Sequence, residues 1–146
     1  MKPKVGTLFL VLAALISTGT AIAHLSCLYF GPECYAVQMA PTFLVESAKN
    51  GTYLAPVLNI FVSTIFLIWG IYALSAARII RKLPFVKLAI YAIATVCIIR
   101  GILPLQLWLR FPEKVNDVAI IVGIIWLMTG LFYLIGNIMR KKQSTK

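Results

Sequence analysis

Four apolar stretches, at 5–23, 53–74, 88–107 and 118–138, hold between them a single charged side chain, Arg100. The hydrocarbon core of a bilayer is about 30 Å thick and an α-helix rises about 1.5 Å per residue, so roughly 20 apolar residues cross it. All four stretches qualify, the first being the shortest. Lipid offers no water to exposed N–H and C=O groups, so each stretch must close its hydrogen bonds within itself as a helix. None alternates polar and apolar residues as a barrel strand would. The expectation is an all-α fold: an integral membrane four-helix bundle occupying 1–146 as a single transmembrane domain. Composition agrees, with 61% hydrophobic and 12% charged residues, against about a quarter charged in soluble domains.

The charges between the stretches predict orientation. Glu33 and Glu46 fall between the first and second stretches, and Glu113 and Asp117 between the third and fourth. Lys49, Arg110 and Lys114 share those segments. The other flanks carry Lys2, Lys4, Arg78, Arg81, Lys82, Lys87, Arg140, Lys141, Lys142 and Lys146, with no acid among them. Basic flanks stay in the cytoplasm, so both termini are expected there, in a multi-pass inner-membrane protein. The same bias argues against dual insertion as an antiparallel dimer. The net charge of +10 is thereby explained without nucleic acid, since no basic, aromatic-interleaved face exists apart from the span ends. The tail Arg140-Lys141-Lys142 is suited to anionic lipid head groups, at roughly 1 kcal/mol per charge. A rival reading takes Met1-Lys2-Pro3-Lys4, the apolar core and Ala21-Ile22-Ala23 as a cleavable secretory signal. The core exceeds the usual length of about 7–15 residues, which favours a retained span.

The segment 24–52 is too long for a turn and too apolar for a free linker, so a structured outer loop is expected. Gly31-Pro32 marks a turn. Pro41 suits a helix start and Asn50-Gly51 a helix end, predicting a short helix over 41–49. It would lie over the outer mouth, either as a structural cover or as the lid of a binding cavity. Cys27 and Cys34 flank the turn on the oxidising side, as a disulfide or as two reduced, buried thiols. A redox role has no C-x-x-C spacing behind it, and Cys97 reads as inert filler within span three. Asn50-Gly51-Thr52 is formally a glycosylation sequon, close to the membrane and without meaning in a bacterium, which the spare architecture suggests.

Small residues recur on the spans: Asn59, Ser63, Gly70, Ala73 and Ala77 on the second, Gly123, Gly130 and Asn137 on the fourth, and Thr7, Ala14, Thr18 and Ala21 on the first. Such stripes form close-packed helix seams; alternatively, Asn59 and Ser63 line a solute cavity. Arg100 costs about 2.5–3.5 kcal/mol at mid-membrane on an insertion scale, so it needs shielding or a partner. It snorkels to the outer head groups, pairs with Glu33 or Glu46, or binds an anionic solute or lipid phosphate bidentately. Pro104 removes a backbone donor and its ring clashes with the carbonyl at position 100. The outer third of span three is therefore the expected irregular spot and the preferred functional locus. Candidate ligand-binding residues are Arg100, Asn59, Ser63, Glu33, Glu46 and His24.

Much chemistry is missing. No carboxylate lies within a span, as an intramembrane proton relay would need. Metal-ligand clusters, phosphate-binding loops and paired carboxylates are absent, and no cofactor is implied. His24 near Cys27 resembles a nucleophile pair but nothing orients the histidine, so an enzyme is disfavoured. The segments His24-Leu25-Ser26-Cys27, Gly31-Pro32-Glu33-Cys34-Tyr35, Trp69-Gly70-Ile71-Tyr72-Ala73-Leu74-Ser75 and Arg100-Gly101 resemble a largely uncharacterised family of small four-span bacterial inner-membrane proteins. That resemblance implies the same topology and little about activity. The motifs of tetraspanins, claudins, quinone-linked thiol oxidases and small multidrug transporters are not present. Two functions lead, ahead of a disfavoured third, a redox or transferase enzyme acting at the outer loop. One is solute transport or binding, or a membrane-homeostasis role, with lipids and a small anionic solute as partners. The other is an accessory subunit whose small-residue faces dock a further copy or another membrane protein.

Overall fold

The structure, a computed structural model, describes residues 5–144. Lys2, Lys4 and Lys146 of the charge argument lie outside the described residues. Every regular element among the described residues is helical: α1 (Val5–Phe30), α2 (Pro32–Val37), α3 (Thr42–Lys49), α4 (Leu54–Ala76), α5 (Val86–Arg110) and α6 (Asp117–Ser144), with a 3-10 turn at Pro112–Lys114 before α6. Four of them, α1, α4, α5 and the Asp117–Arg140 part of α6, are long and apolar enough to cross a membrane. Only 28–33% of each such window is buried, so most of the apolar surface faces outward, as contact with lipid requires.

Helix ends follow local chemistry. The first helix overruns its expected limit at residue 23 by about two turns, because nothing interrupts it before Gly31-Pro32. Gly31 then adopts φ 77°, ψ −157°, a region open essentially to glycine alone. Pro32 follows at the start of α2, where its missing N–H is not needed. Three helices close with the same paired bonds. Ala40 N donates to Tyr35 O and Met39 N to Ala36 O; Thr52 N to Ser47 O and Gly51 N to Ala48 O; Ile79 N to Leu74 O and Arg78 N to Ser75 O. These are Schellman ends, whose pivotal residue is left-handed and usually glycine. Here the pivots are Met39 (φ 55°), Gly51 (φ 65°) and Arg78 (φ 59°). A side chain in that region costs on the order of 1–3 kcal/mol, so Met39 and Arg78 are held there against their preference. At the start of α6, Asn116 Oδ1 accepts from Ala119 N at 2.8 Å, an N-cap that satisfies one orphan donor.

The chain divides into two compact units, residues 1–16 with 70–146, and residues 17–69. Both α1 and α4 contribute to each. In the first unit, α5 and α6 approach until no methyl fits between them. A Cβ on Gly101 would lie 2.7 Å from Leu127 Cα, and one on Gly130 would lie 3.0 Å from Ala94 O. Pro104 sits inside α5, which nevertheless runs unbroken from Val86 to Arg110. The irregularity expected there is therefore not a break: α6 presses on that turn through Gly123, whose Cβ would meet the Pro104 ring at 3.3 Å. Gly6 and Gly136 make the matching seam between α1 and α6, where a Cβ on Gly6 would lie 2.9 Å from Gly136 O. Phe9 stacks on Phe132 beside it, 5.4 Å between centroids.

The second unit is organised by the segment between α1 and α4. A disulfide joins Cys27 in the last turn of α1 to Cys34 in α2, with Cα atoms 5.1 Å apart. Gln38 Nε2 returns to Ala23 O at 2.6 Å. Cys27, Tyr35 and Ala55 are buried together, packed by Leu44, Val45 and Ala48 of α3. Ser47 of α3 accepts from Ala55 N at 3.0 Å, so a side chain from one helix caps the start of the next.

Candidate functional site

Polar side chains inside spans either spend their bonding capacity on the protein or keep it for something else. Hydroxyls take the first course. Ser63 Oγ donates to Asn59 O at 2.8 Å, Thr129 Oγ1 to Ile125 O at 2.7 Å and Thr95 Oγ1 to Tyr91 O at 2.9 Å. Each reaches the carbonyl one turn back, which hides the donor from lipid.

Asn59 does the same across elements. It is buried, at 6% exposure. Its Nδ2 donates to His24 O at 2.6 Å and to Tyr35 Oη at 3.4 Å, which ties α4 to α1 and α2. The His24 ring stacks on Phe66 with centroids 5.5 Å apart, and Phe66 meets Trp69 edge-on at 5.2 Å. Asn59, Ser63 and His24 are thus brought together, with their described bonds directed at one another and at Tyr35. Glu33 and Glu46 are exposed in the same unit. Glu33 lies in the first turn of α2, where a negative charge opposes the positive helix end.

Arg100 takes the second course. It is exposed on α5, next to the Gly101 seam, and its guanidinium lies over the ring of Trp126, 5.6 Å from the centroid. The indole is 5% exposed and fixed in the α5–α6 face. Among the described residues, no hydrogen bond or ion pair reaches Arg100. The cation–π contact offers about 0.5–2 kcal/mol, less than the roughly 2.5–3.5 kcal/mol that an intramembrane arginine costs. It also leaves five N–H donors unused. Arg110 ends α5 ten residues later, which puts Arg100 about 15 Å from that end by helical rise.

A second locus is one the sequence reading passed over. The α4–α5 linker and the end of α6 border an open cavity of about 800 Å³, whose lining includes Arg78, Lys82, Lys87, Arg140 and Asn137. Arg78, Lys82 and Lys87 read in the sequence as topology signals and Arg140 also as part of a lipid-attracting tail, while their convergence depends on α6 returning beside the linker. Among the described residues, no His, Cys, Asp and Glu side chains converge as a metal site. No protein-family model, curated protein or solved structure matches this chain, so its function is argued from this geometry.

Proposed function

We propose that this multi-pass membrane protein belongs to a bacterial inner membrane, with both termini cytoplasmic. We further propose that it works without covalent chemistry, holding a small anionic solute or a lipid phosphate at Arg100. The observation that supports this reading is an exposed cation within a span, set over a buried indole, with no hydrogen bond or ion pair to it among the described residues. A guanidinium presents a planar fork that suits a carboxylate or phosphate bidentately. The bilayer makes such a pair more favourable than it is in water, because the alternative is a bare charge in a low dielectric.

The outward position of Arg100 also favours a second reading, an accessory subunit that pairs Arg100 with a carboxylate of a partner helix. The small-residue seams supply less support for docking, because Gly101, Gly123 and Gly130 already face neighbouring helices of the same chain. The test uses protein carrying Trp69→Phe and Trp108→Phe, in nanodiscs containing phosphatidylglycerol with brominated acyl chains, and reads indole quenching with Arg100 native, Arg100→Lys and Arg100→Leu. Under the first reading, quenching at Trp126 falls in Arg100→Leu and is largely kept in Arg100→Lys. If Arg100→Leu folds, quenches as the protein with native Arg100 does and loses a co-purifying membrane protein, the accessory reading replaces it.

A further inference from the structure

The positive-inside rule explains why Arg78, Lys82, Lys87 and Arg140 share one side of the membrane. It does not explain why they share one cavity, because the rule acts on the side and is indifferent to convergence. Like charges gathered around a single space repel one another, and no carboxylate is among the residues that line it. Arg78, Lys82 and Lys87 are exposed, so water screens that repulsion in part, and an anion in the shared space would offset what is left.

Three further observations support a built site. Arg140 Nε is buried with no hydrogen-bond partner among the described residues. The residue as a whole is only half-buried, so an anion in the cavity can reach its guanidinium and satisfy that donor. Next, the linker is pinned: buried Ser75 donates from Oγ to Arg81 O at 3.1 Å and accepts from Leu83 N at 2.9 Å. The basic segment is thus set in one path across the end of α4. Finally, Arg78 occupies the left-handed pivot of the α4 Schellman end, where glycine is preferred. A cation in place of glycine there is strained locally and useful to the cavity.

We propose that this cavity binds a phosphate-bearing anion through the guanidiniums of Arg78 and Arg140, with Asn137 as a neutral donor and Lys82 and Lys87 adding charge. Asn137 and Arg140 stand three residues apart on α6 and so present to the same face. Phe85, Val86 and Ile80 give the cavity an apolar side. The shared chemistry is a phosphate mono- or diester, which either an anionic phospholipid or a soluble phosphorylated compound supplies. Basic pockets between membrane helices on the cytoplasmic side suit such head groups.

The experiment compares wild type with Arg140→Gln, Arg78→Gly and Arg81→Gln. Arg81 belongs to the same linker but does not line the cavity, and Arg100 is intact in every variant. Native mass spectrometry from micelles doped with phosphatidylglycerol or phosphatidylcholine counts retained lipid. Calorimetric titration with glycerol 3-phosphate in phosphatidylcholine nanodiscs tests the soluble source. Arg140→Gln and Arg78→Gly are expected to lose one bound phosphatidylglycerol per chain or, if the soluble arm binds, roughly tenfold in affinity, the loss typical of one charged contact. Arg81→Gln is expected to match wild type. Arg78→Gly is also expected to melt no lower than wild type, because glycine relaxes the pivot, so its loss of ligand is not unfolding. Equal losses in Arg81→Gln and Arg78→Gly would reduce the effect to diffuse surface charge and overturn the site. Absence of both lipid preference and titration heat in the wild type would overturn it as well.

Discussion

Asn59 and Arg100 meet the same cost, a polar group removed from water, in opposite ways. Asn59 gives its amide hydrogens to His24 O and Tyr35 Oη, and so becomes part of the scaffold. Arg100 has only a ring beneath it and remains available. Cys27 and Cys34 belong with Asn59, since their bridge holds α2 against α1 beside it. The bridge closes a short loop, for which chain-entropy reasoning assigns about 2–3 kcal/mol. Replacing Cys27 and Cys34 by serine together is expected to lower unfolding stability by that amount, as read by denaturant titration in detergent. Alkylation of the unfolded wild type without reductant is expected to label Cys97, the free thiol, and neither of the other two. Labelling at all three would show that no bridge exists.

At the scale of elements, seams are made where backbones touch. The sequence marks Gly123 and Gly130 by their spacing of seven, and both do face α5. It leaves Gly6 and Gly136 unmarked, because each is a lone glycine whose partner lies at the other end of the chain. Asn137, marked in the stripe on α6, lines the basic cavity, and it is Gly136 beside it that makes the seam. Gly101 and Gly19 show the consequence. A methyl on Gly101 runs into the Leu127 backbone, whereas one on Gly19 meets open space. Gly101→Val is expected to destabilise by about 1–3 kcal/mol through overpacking. Gly19→Ala is expected to be neutral or to gain about 0.5–1 kcal/mol from reduced chain entropy. Parallel melting curves in one detergent check both, and equal effects would mean that the α5–α6 approach is looser than described. The overrun of α1 belongs to this scale too. His24 and Ser26 look like the start of a loop, yet a helix ends where its geometry fails, at Gly31, and not where polarity rises.

At the scale of the molecule, the distribution of acids and bases predicts that the segment between α1 and α4 lies outside and both ends inside. Fusing a reporter active only in the periplasm to either terminus is expected to give no signal, and placing it after Asn50 is expected to give full signal. A signal from the C-terminal fusion would invert the orientation and move the basic cavity to the opposite side. The candidate site was half legible in the sequence. Arg100 stands out because one charge in four apolar runs is conspicuous in one dimension. The basic cavity does not, because Arg78 and Arg140 are far apart in the chain and meet only through the return of α6. What the sequence by itself determined is the set of spanning helices, since the cost of unpaired backbone in lipid acts on each segment regardless of its neighbours. What only the tertiary structure decided is which small residues are seams, which polar groups are already satisfied and which cations share a space. Those are properties of distances between residues remote in the chain, and no local pattern records them.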